Sequence, residues 1–174
     1  MRSNRIATCM VFACVGLVLR APSEAAQPAP AAPVSAAPFL LMAGEGDVFE
    51  ITSSQMALMR SQNAEVRNFA QMLIEHHTRL TNATLTEAKA AGVAAPPPVL
   101  TAPKRAMIDA LLGAGAADFD RVYLQQQATA HNEALALHTN YAARGEVPQL
   151  RRAAMSAIPV VQQHLAQVRT LSSR

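Results

Sequence analysis

Apolar residues recur at a helical spacing through five stretches of the chain, separated by polar or proline-containing breaks. The longest unbroken pattern runs from Ala116 to Ala143, with no proline and no internal glycine. Phe119, Val122, Tyr123, Ala130, Ala134, Leu137 and Tyr141 share one broad face of it, with Leu124, His131, Leu135 and His138 on the flank. An apolar arc of that width calls for several partner helices rather than one. Asp118 and Asp120 sit in its opening turns, and Arg144 and Gly145 close it, an order that suits the helix dipole and a glycine C-cap.

Four further helices follow from the same pattern. Phe39 to Gln62 is helical despite Gly44 and Gly46, which either admit a close neighbour or mark a late start. Glu50 falls on its apolar line with Phe39, Ala43 and Ala57, and Phe49, Met56 and Met42 widen that face. Asn63 is an N-cap for a helix from Ala64 to Ala91, whose inner side carries Val66, Phe69, Leu73, Leu80 and Thr84. His77 lies beside Leu73 on that arc and His76 on the other margin. Pro96, Pro97 and Pro98 then break the pattern before a short helix from about Pro103 to Leu112. The last helix runs from Pro148 to about Leu171, with Val160, Val161, Leu165 and Val168 inward, His164 within their arc, and Pro159 expected to kink or interrupt it. The expectation is an all-α, antiparallel four-helix bundle with one additional short helix.

The first residues belong to a different class. Met1 to Arg5 is basic, Ile6 to Leu19 is apolar, and Ala25 and Ala26 are small, which predicts a secretory signal peptide over residues 1–26. The apolar run is short for a membrane span, and no later stretch is long and apolar enough, so no transmembrane domain is expected after processing. Cys14, after Val11, Phe12 and Ala13, resembles a lipoprotein box only weakly. Residues 27–38 read as a proline- and alanine-rich spacer, leaving 39–172 as the folded domain. Both cysteines, Cys9 and Cys14, lie in the leader, so cleavage excludes a disulfide scaffold, a thiol nucleophile and an iron–sulfur site. Removing Arg2, Arg5, Arg20 and Glu24 leaves 12 basic against 11 acidic residues, scattered along the chain, which argues against nucleic acid as a partner. The processed protein is expected in the periplasm or secreted.

Counting from the turns draws four polar residues together. Glu50 lies 13 residues before Asn63 and His77 lies 14 after it. His131 lies 14 before Gly145, and His164 lies 16 after Pro148. In an antiparallel bundle, Glu50, His77, His131 and His164 then meet near mid-height, one from each long helix. A carboxylate with three imidazoles suits iron, zinc, manganese or copper; a buried polar network without metal is the alternative. The residues three before His77, His131 and His164 are Ile74, Ala128 and Val161, so the paired Glu-x-x-His motifs of a di-iron carboxylate site are missing. Glu75 and His76 supply outer partners or merely face solvent. His138 is expected in a separate network with Tyr141. No phosphate loop, nucleophile elbow or His-Glu-x-x-His supports a hydrolase or nucleotide-binding reading.

Gly46 to Leu58 (GDVFEITSSQMAL), Val66 to His77 (VRNFAQMLIEHH), Ala117 to His131 (ADFDRVYLQQQATAH) and Ile158 to Leu165 (IPVVQQHL) together resemble the DUF4142 family. The resemblance covers nearly everything from Phe39 onward. It implies a ferritin-like bundle in the bacterial envelope, often labelled an outer membrane protein, and it supplies no reaction. The family's first-helix glutamate would match Glu50, its Phe-Asp-x-x-Tyr pattern Phe119, Asp120 and Tyr123, and its last-helix histidine His164. Its Asp-Asp-His pattern would match Glu75, His76 and His77, with histidine in place of the middle acid. Three functions stay open: a non-enzymatic exported domain with a stress-related, metal-binding role; a metal-dependent redox enzyme; and a structural or interaction module exposing Met42, Met56 and Met59. An envelope protein or a membrane surface is the expected partner, and outer-membrane association stays open, as do catalysis and the oligomeric state.

Overall fold

The computed structural model describes residues 32–173, which form α1 (Ala36–Arg60), α2 (Ala64–Ala90), α3 (Ala102–Gly113), α4 (Phe119–Arg144) and α5 (Pro148–Ser172). The expected signal peptide and the first residues of the expected spacer lie outside the described residues. The four long helices pack cyclically, α1 against α2 and α4, and α5 against α2 and α4. The crossover containing α3 carries the chain from one end of the bundle to the other, so every adjacent pair of long helices is antiparallel. This is a ferritin-like antiparallel four-helix bundle with one additional short helix. No helix among the described residues is long and apolar enough to cross a membrane.

Helix α1 starts at Ala36, earlier than the apolar pattern suggested, because its start is fixed by the turn between α4 and α5. Val34 forms an isolated parallel bridge with Gly145, with Val34 N–H donating to Arg144 O at 2.8 Å and Glu146 N–H to Val34 O at 3.0 Å. Glu146 Oε1 then accepts from Ala36 N–H at 2.7 Å, doing at long range what Ser35 does not do locally. Asn63 caps α2 as its sequence suggests, accepting from Glu65 N–H at 2.9 Å. Arg60 ties α1 to the crossover, donating to Leu111 O at 2.7 Å and Leu112 O at 3.0 Å.

Two glycines allow close approaches. A Cβ on Gly145 would stand 2.4 Å from the Tyr141 ring, so the α4–α5 turn admits no side chain there. A Cβ on Gly44 would meet Pro98 Cβ at 3.0 Å; the close neighbour is the crossover loop rather than a helix. Pro159 neither stops nor divides α5, which runs continuously through it. The residue sits on the solvent-facing side, where the lost backbone bond is least costly.

The core has two apolar blocks. One, near the α1–α2 turn, contains Phe69, Leu73, Phe119, Tyr123, Leu165 and Val168. The other, near the α4–α5 turn, contains Phe39, Leu40, Tyr141 and Leu150. Between them lies a buried polar layer of Glu50, Ser53, His77, Gln127, His131 and His164. Burying so many polar groups without cause would be costly, which makes this layer the candidate functional site.

Candidate metal centre

Each long helix delivers one of the four residues to this layer. Glu50 of α1 is 1 % exposed, His77 of α2 is 2 % exposed, and His131 of α4 and His164 of α5 are fully buried. The His77 and His131 ring centroids are 5.5 Å apart, His77 and His164 5.3 Å, and His131 and His164 5.1 Å. Glu50 Oε2 lies 3.0 Å from His77 Nε2, and Glu50 Oε1 lies 3.1 Å from His131 Nδ1. The spacing argument from the turns thus places all four side chains in one cluster.

These atoms meet as ion pairs rather than as well-aligned hydrogen bonds. His77 Nε2 and Glu50 Oε1 are buried and have no hydrogen bond, although each has a charged or polar neighbour near 3 Å. Their contacts are close but misaligned, which is the arrangement of donors that face a common point rather than one another. One nitrogen from each of His77, His131 and His164 falls within 4.8 Å of the others, and so do ligand atoms of Asp47, Glu50 and His77. Three imidazoles and a carboxylate form a donor set able to coordinate a transition metal.

The surrounding hydrogen bonds fix the rings. Asp47, one turn before Glu50, accepts from His77 Nδ1 at 2.8 Å and also accepts from the Thr81 hydroxyl. That leaves His77 Nε2 directed at the cluster, the carboxylate–imidazole arrangement common behind metal ligands. Gln127 O can only accept, so the His131 Nδ1–H donates to it at 2.8 Å and His131 Nε2 presents a lone pair. His164 Nδ1 then donates to His131 Nε2 at 3.1 Å, and His164 Nε2 accepts from His76 Nδ1 at 2.9 Å. One backbone carbonyl therefore sets the tautomers of three histidines. Below them, Gln127 Nε2 donates to Ser53 Oγ at 2.7 Å, and Ser54 Oγ meets the Tyr123 hydroxyl at 2.9 Å.

Charge is distributed unevenly. Burial would raise the pKa of Glu50, but the fields of His131 and His77 outweigh it and hold the group at about 2. Burial would lower that of His77, but the Glu50 charge and the Asp47 hydrogen bond raise it to about 10. For His164, burial and the neighbouring imidazoles act together and lower it to about 3. Burial likewise lowers His131, against the pull of Glu50. The layer is thus a Glu50 carboxylate and a His77 imidazolium beside two neutral rings.

Other expected residues fall differently. His76 reaches the cluster through His164, on which it stacks with ring centroids 5.1 Å apart. Glu75 points outward and accepts from Gln71 at 2.9 Å. His138 meets the Phe39 ring edge-on at 5.7 Å, and Phe39 stacks on Tyr141 at 3.9 Å, so the expected His138–Tyr141 network is an aromatic stack. Asp118 pairs with exposed Arg121 at 2.8 Å. Met42 and Met59 are exposed but Met56 is buried, so the three do not share one surface patch. Asp47 was not singled out by the apolar pattern; its position one turn from Glu50 on the same side was the available signal. Two larger grooves, of about 540 and 550 Å³, border none of the four cluster residues.

The family model described as "Domain of unknown function (DUF4142)" matches residues 20–171. No curated protein matches the chain. Among solved structures, "CopM in the Cu(II)-bound form" superposes with a TM-score of 0.67 at 18% identity, over 81% of this chain and 97% of that one. "CopM in the Ag-bound form (by co-crystallization)" gives 0.66 at 18%, over 80% and 96%. "CopM in the Cu(I)-bound form" gives 0.65 at 19%, over 78% and 94%. At these identities the likeness is one of fold. None of these matches carries the outer-membrane label that the resemblance brought with it. The chain belongs to the DUF4142 family.

Proposed function

We propose that this DUF4142 protein is an exported helical domain that holds one transition-metal ion, copper(II), in its polar layer. Glu50, His77, His131 and His164 are the proposed ligands, with Asp47, Gln127 and His76 orienting the rings behind them. The observation that carries this reading is the convergence in one buried layer of the Glu50 carboxylate, 3.0 Å from His77 Nε2 and 3.1 Å from His131 Nδ1, with three imidazoles, one nitrogen of each lying within 4.8 Å of the others. The fold shared with copper- and silver-bound CopM favours copper among the metals the donor set accepts. Neutral imidazole and carboxylate favour the divalent ion, since the four proposed ligands include no thiolate or thioether.

Within such a site the chain's own groups do most of the work. Gln127 O and Asp47 pre-orient His131 and His77, so little side-chain freedom is lost on loading. Glu50 offsets the cation's charge in a layer closed to bulk water on both sides by the apolar blocks. His77 must release its Nε2 proton to become a ligand, so uptake should release protons. Copper held there would supply a tightly bound, redox-capable cation. The cavity that borders Glu50 and His77 favours a second reading, a metal-dependent redox enzyme, because catalysis requires an open position.

Copper-equilibrated protein tests this. The expected result is one copper per chain by elemental analysis and nitrogen hyperfine structure in its electron paramagnetic resonance spectrum. His77→Ala and His131→Ala should each lose the stoichiometric ion. Retention of full copper by both folded variants, or no stoichiometric uptake by the parent protein, would leave the polar layer as a structural network.

A further inference from the structure

The polar layer is not sealed all round. A cavity of about 90 Å³ reaches Glu50 and His77, but not His76, His131 or His164. A water molecule needs roughly 10–15 Å³ of such space, so several fit. Its walls are Leu80, Ala130, Ala134, Leu137 and Val161 on the apolar side. Its polar wall includes His138, whose Nδ1 is buried without a partner, and Glu50, whose Oε1 accepts no hydrogen bond although His131 Nδ1 stands 3.1 Å away. Toward solvent stand Lys104 of α3 and Glu133 of α4, joined at 2.6 Å, with Lys104 lying 4.8 Å over the Phe49 ring.

These walls select a ligand class. Glu45, Asp47, Glu50 and Glu133 border the space, while its one lysine is already paired with Glu133, which disfavours an anion. Two buried polar atoms without a hydrogen bond disfavour an apolar gas, which would leave both unsatisfied. The volume excludes most organic molecules. Small neutral molecules that donate and accept hydrogen bonds, water first among them, fit all three conditions.

We propose that this cavity is a second ligand site, whose resident is water and which presents a neutral, water-sized protic molecule to the metal beside Glu50 and His77, with His138 and Glu50 as its hydrogen-bond partners. This rests on the metal reading above and adds an exchangeable position, entered past the Lys104–Glu133 pair. His138 acts on the ligand in the cavity and is not one of the proposed metal ligands.

The test uses the processed full-length protein in two states. In the copper(II)-loaded state, water-proton relaxation should show a rapidly exchanging bound water. Ala134→Leu, which fills the cavity, should lose most of that enhancement while keeping one copper per chain. His138→Leu should weaken it without filling the space, and serves if Ala134→Leu does not fold. Excess azide should fail to displace the water. In the metal-free state, water-to-methyl cross-relaxation at Ala130 and Ala134 should reveal the resident water. Water in the metal-free cavity together with no copper uptake would remove the metal reading and keep the ligand site. Bound copper with no exchangeable water, with enhancement unchanged in both variants, or with ready displacement by azide would overturn the ligand site itself.

Discussion

The two sides of the polar layer solve the same problem in opposite ways. On the side of α1 and α2, Asp47, Glu50 and His77 form a charged series, with His77 held between two carboxylates at 2.8 and 3.0 Å. On the side of α4 and α5, His131 and His164 are neutral and chained ring to ring, ending on Gln127 O inside and His76 outside. Charge holds one half in place and tautomer choice holds the other. A metal entering between them would displace one proton from His77 and would compete with the His164 Nδ1–H for the lone pair on His131 Nε2. The layer is therefore asymmetric before any ligand arrives, and each half can be disturbed separately.

The charged half should break most severely. Glu50→Gln leaves the buried His77 cation with Asp47 as its one remaining carboxylate neighbour, and losing one partner of a buried pair typically costs about 3–5 kcal/mol. The expected outcome is a large fall in the denaturation midpoint together with loss of copper. His164→Leu, in the neutral half, should cost roughly 1–3 kcal/mol, since it replaces a neutral ring and orphans polar atoms on His131 and His76. Chemical denaturation of the two variants side by side measures the difference; equal costs would show that the asymmetry has no energetic content. Asp47→Asn should preserve the fold and weaken copper binding by about 10–100-fold, the usual effect of removing the group behind a ligating imidazole. Titration calorimetry reads that change.

The two halves also oppose each other in pH. His77 holds its proton to about pH 10 in the native metal-free protein, against 6.5 in the unfolded chain. Its contribution is therefore complete below 6.5 and is lost as pH rises toward 10. His164 behaves in reverse: the native ring resists protonation down to about 3, so stability falls as pH drops from 6.5 toward 3. Glu50, at about 2 instead of 4.5, adds a further loss below 4.5. Metal-free stability should accordingly peak near pH 6.5, with Glu50→Gln reducing the alkaline decline and His164→Leu the upper part of the acid decline. Denaturation midpoints across pH check both.

Much of this layer was legible because helices act as rulers. Asn63 and the Gly145–Pro148 turn fixed two origins, and a constant rise per residue brought Glu50, His77, His131 and His164 to a common height. Long-range substitutes for local signals were not legible. The start of α1 at Ala36 depends on Glu146, which lies 110 residues away and has no periodic mark. Asp47 escaped because apolar periodicity ranks polar residues by what they interrupt, and Asp47 interrupts nothing beyond what Glu50 already did. Periodicity put His76 on a margin but could not say whether its ring turned to solvent or to His164. Ring orientation depends on rotamers and partners that hydrophobic spacing does not encode.

His76 offers the finest probe of the contrast between the halves. It occupies a position where the family resemblance expects an acid, and its Nδ1 reaches His164 Nε2 at 2.9 Å. An acid there would bring charge to the neutral half; histidine keeps it uncharged, since burial and the nearby Arg79 both lower its pKa. His76→Ala removes a partly exposed hydrogen bond, so stability should change by no more than about 1 kcal/mol. His164 would lose its outer partner and with it the restraint on its ring, and copper affinity should fall by about tenfold with stoichiometry still one per chain. His76→Asp should restore the contact while charging the neutral half, raising the pKa of His164 and steepening the pH dependence of copper uptake. Calorimetric titrations of the two variants at several pH values distinguish these effects. If both variants bound copper as the parent protein does at every pH, His164 would be held by the bundle alone and the outer histidine would have no part in the centre.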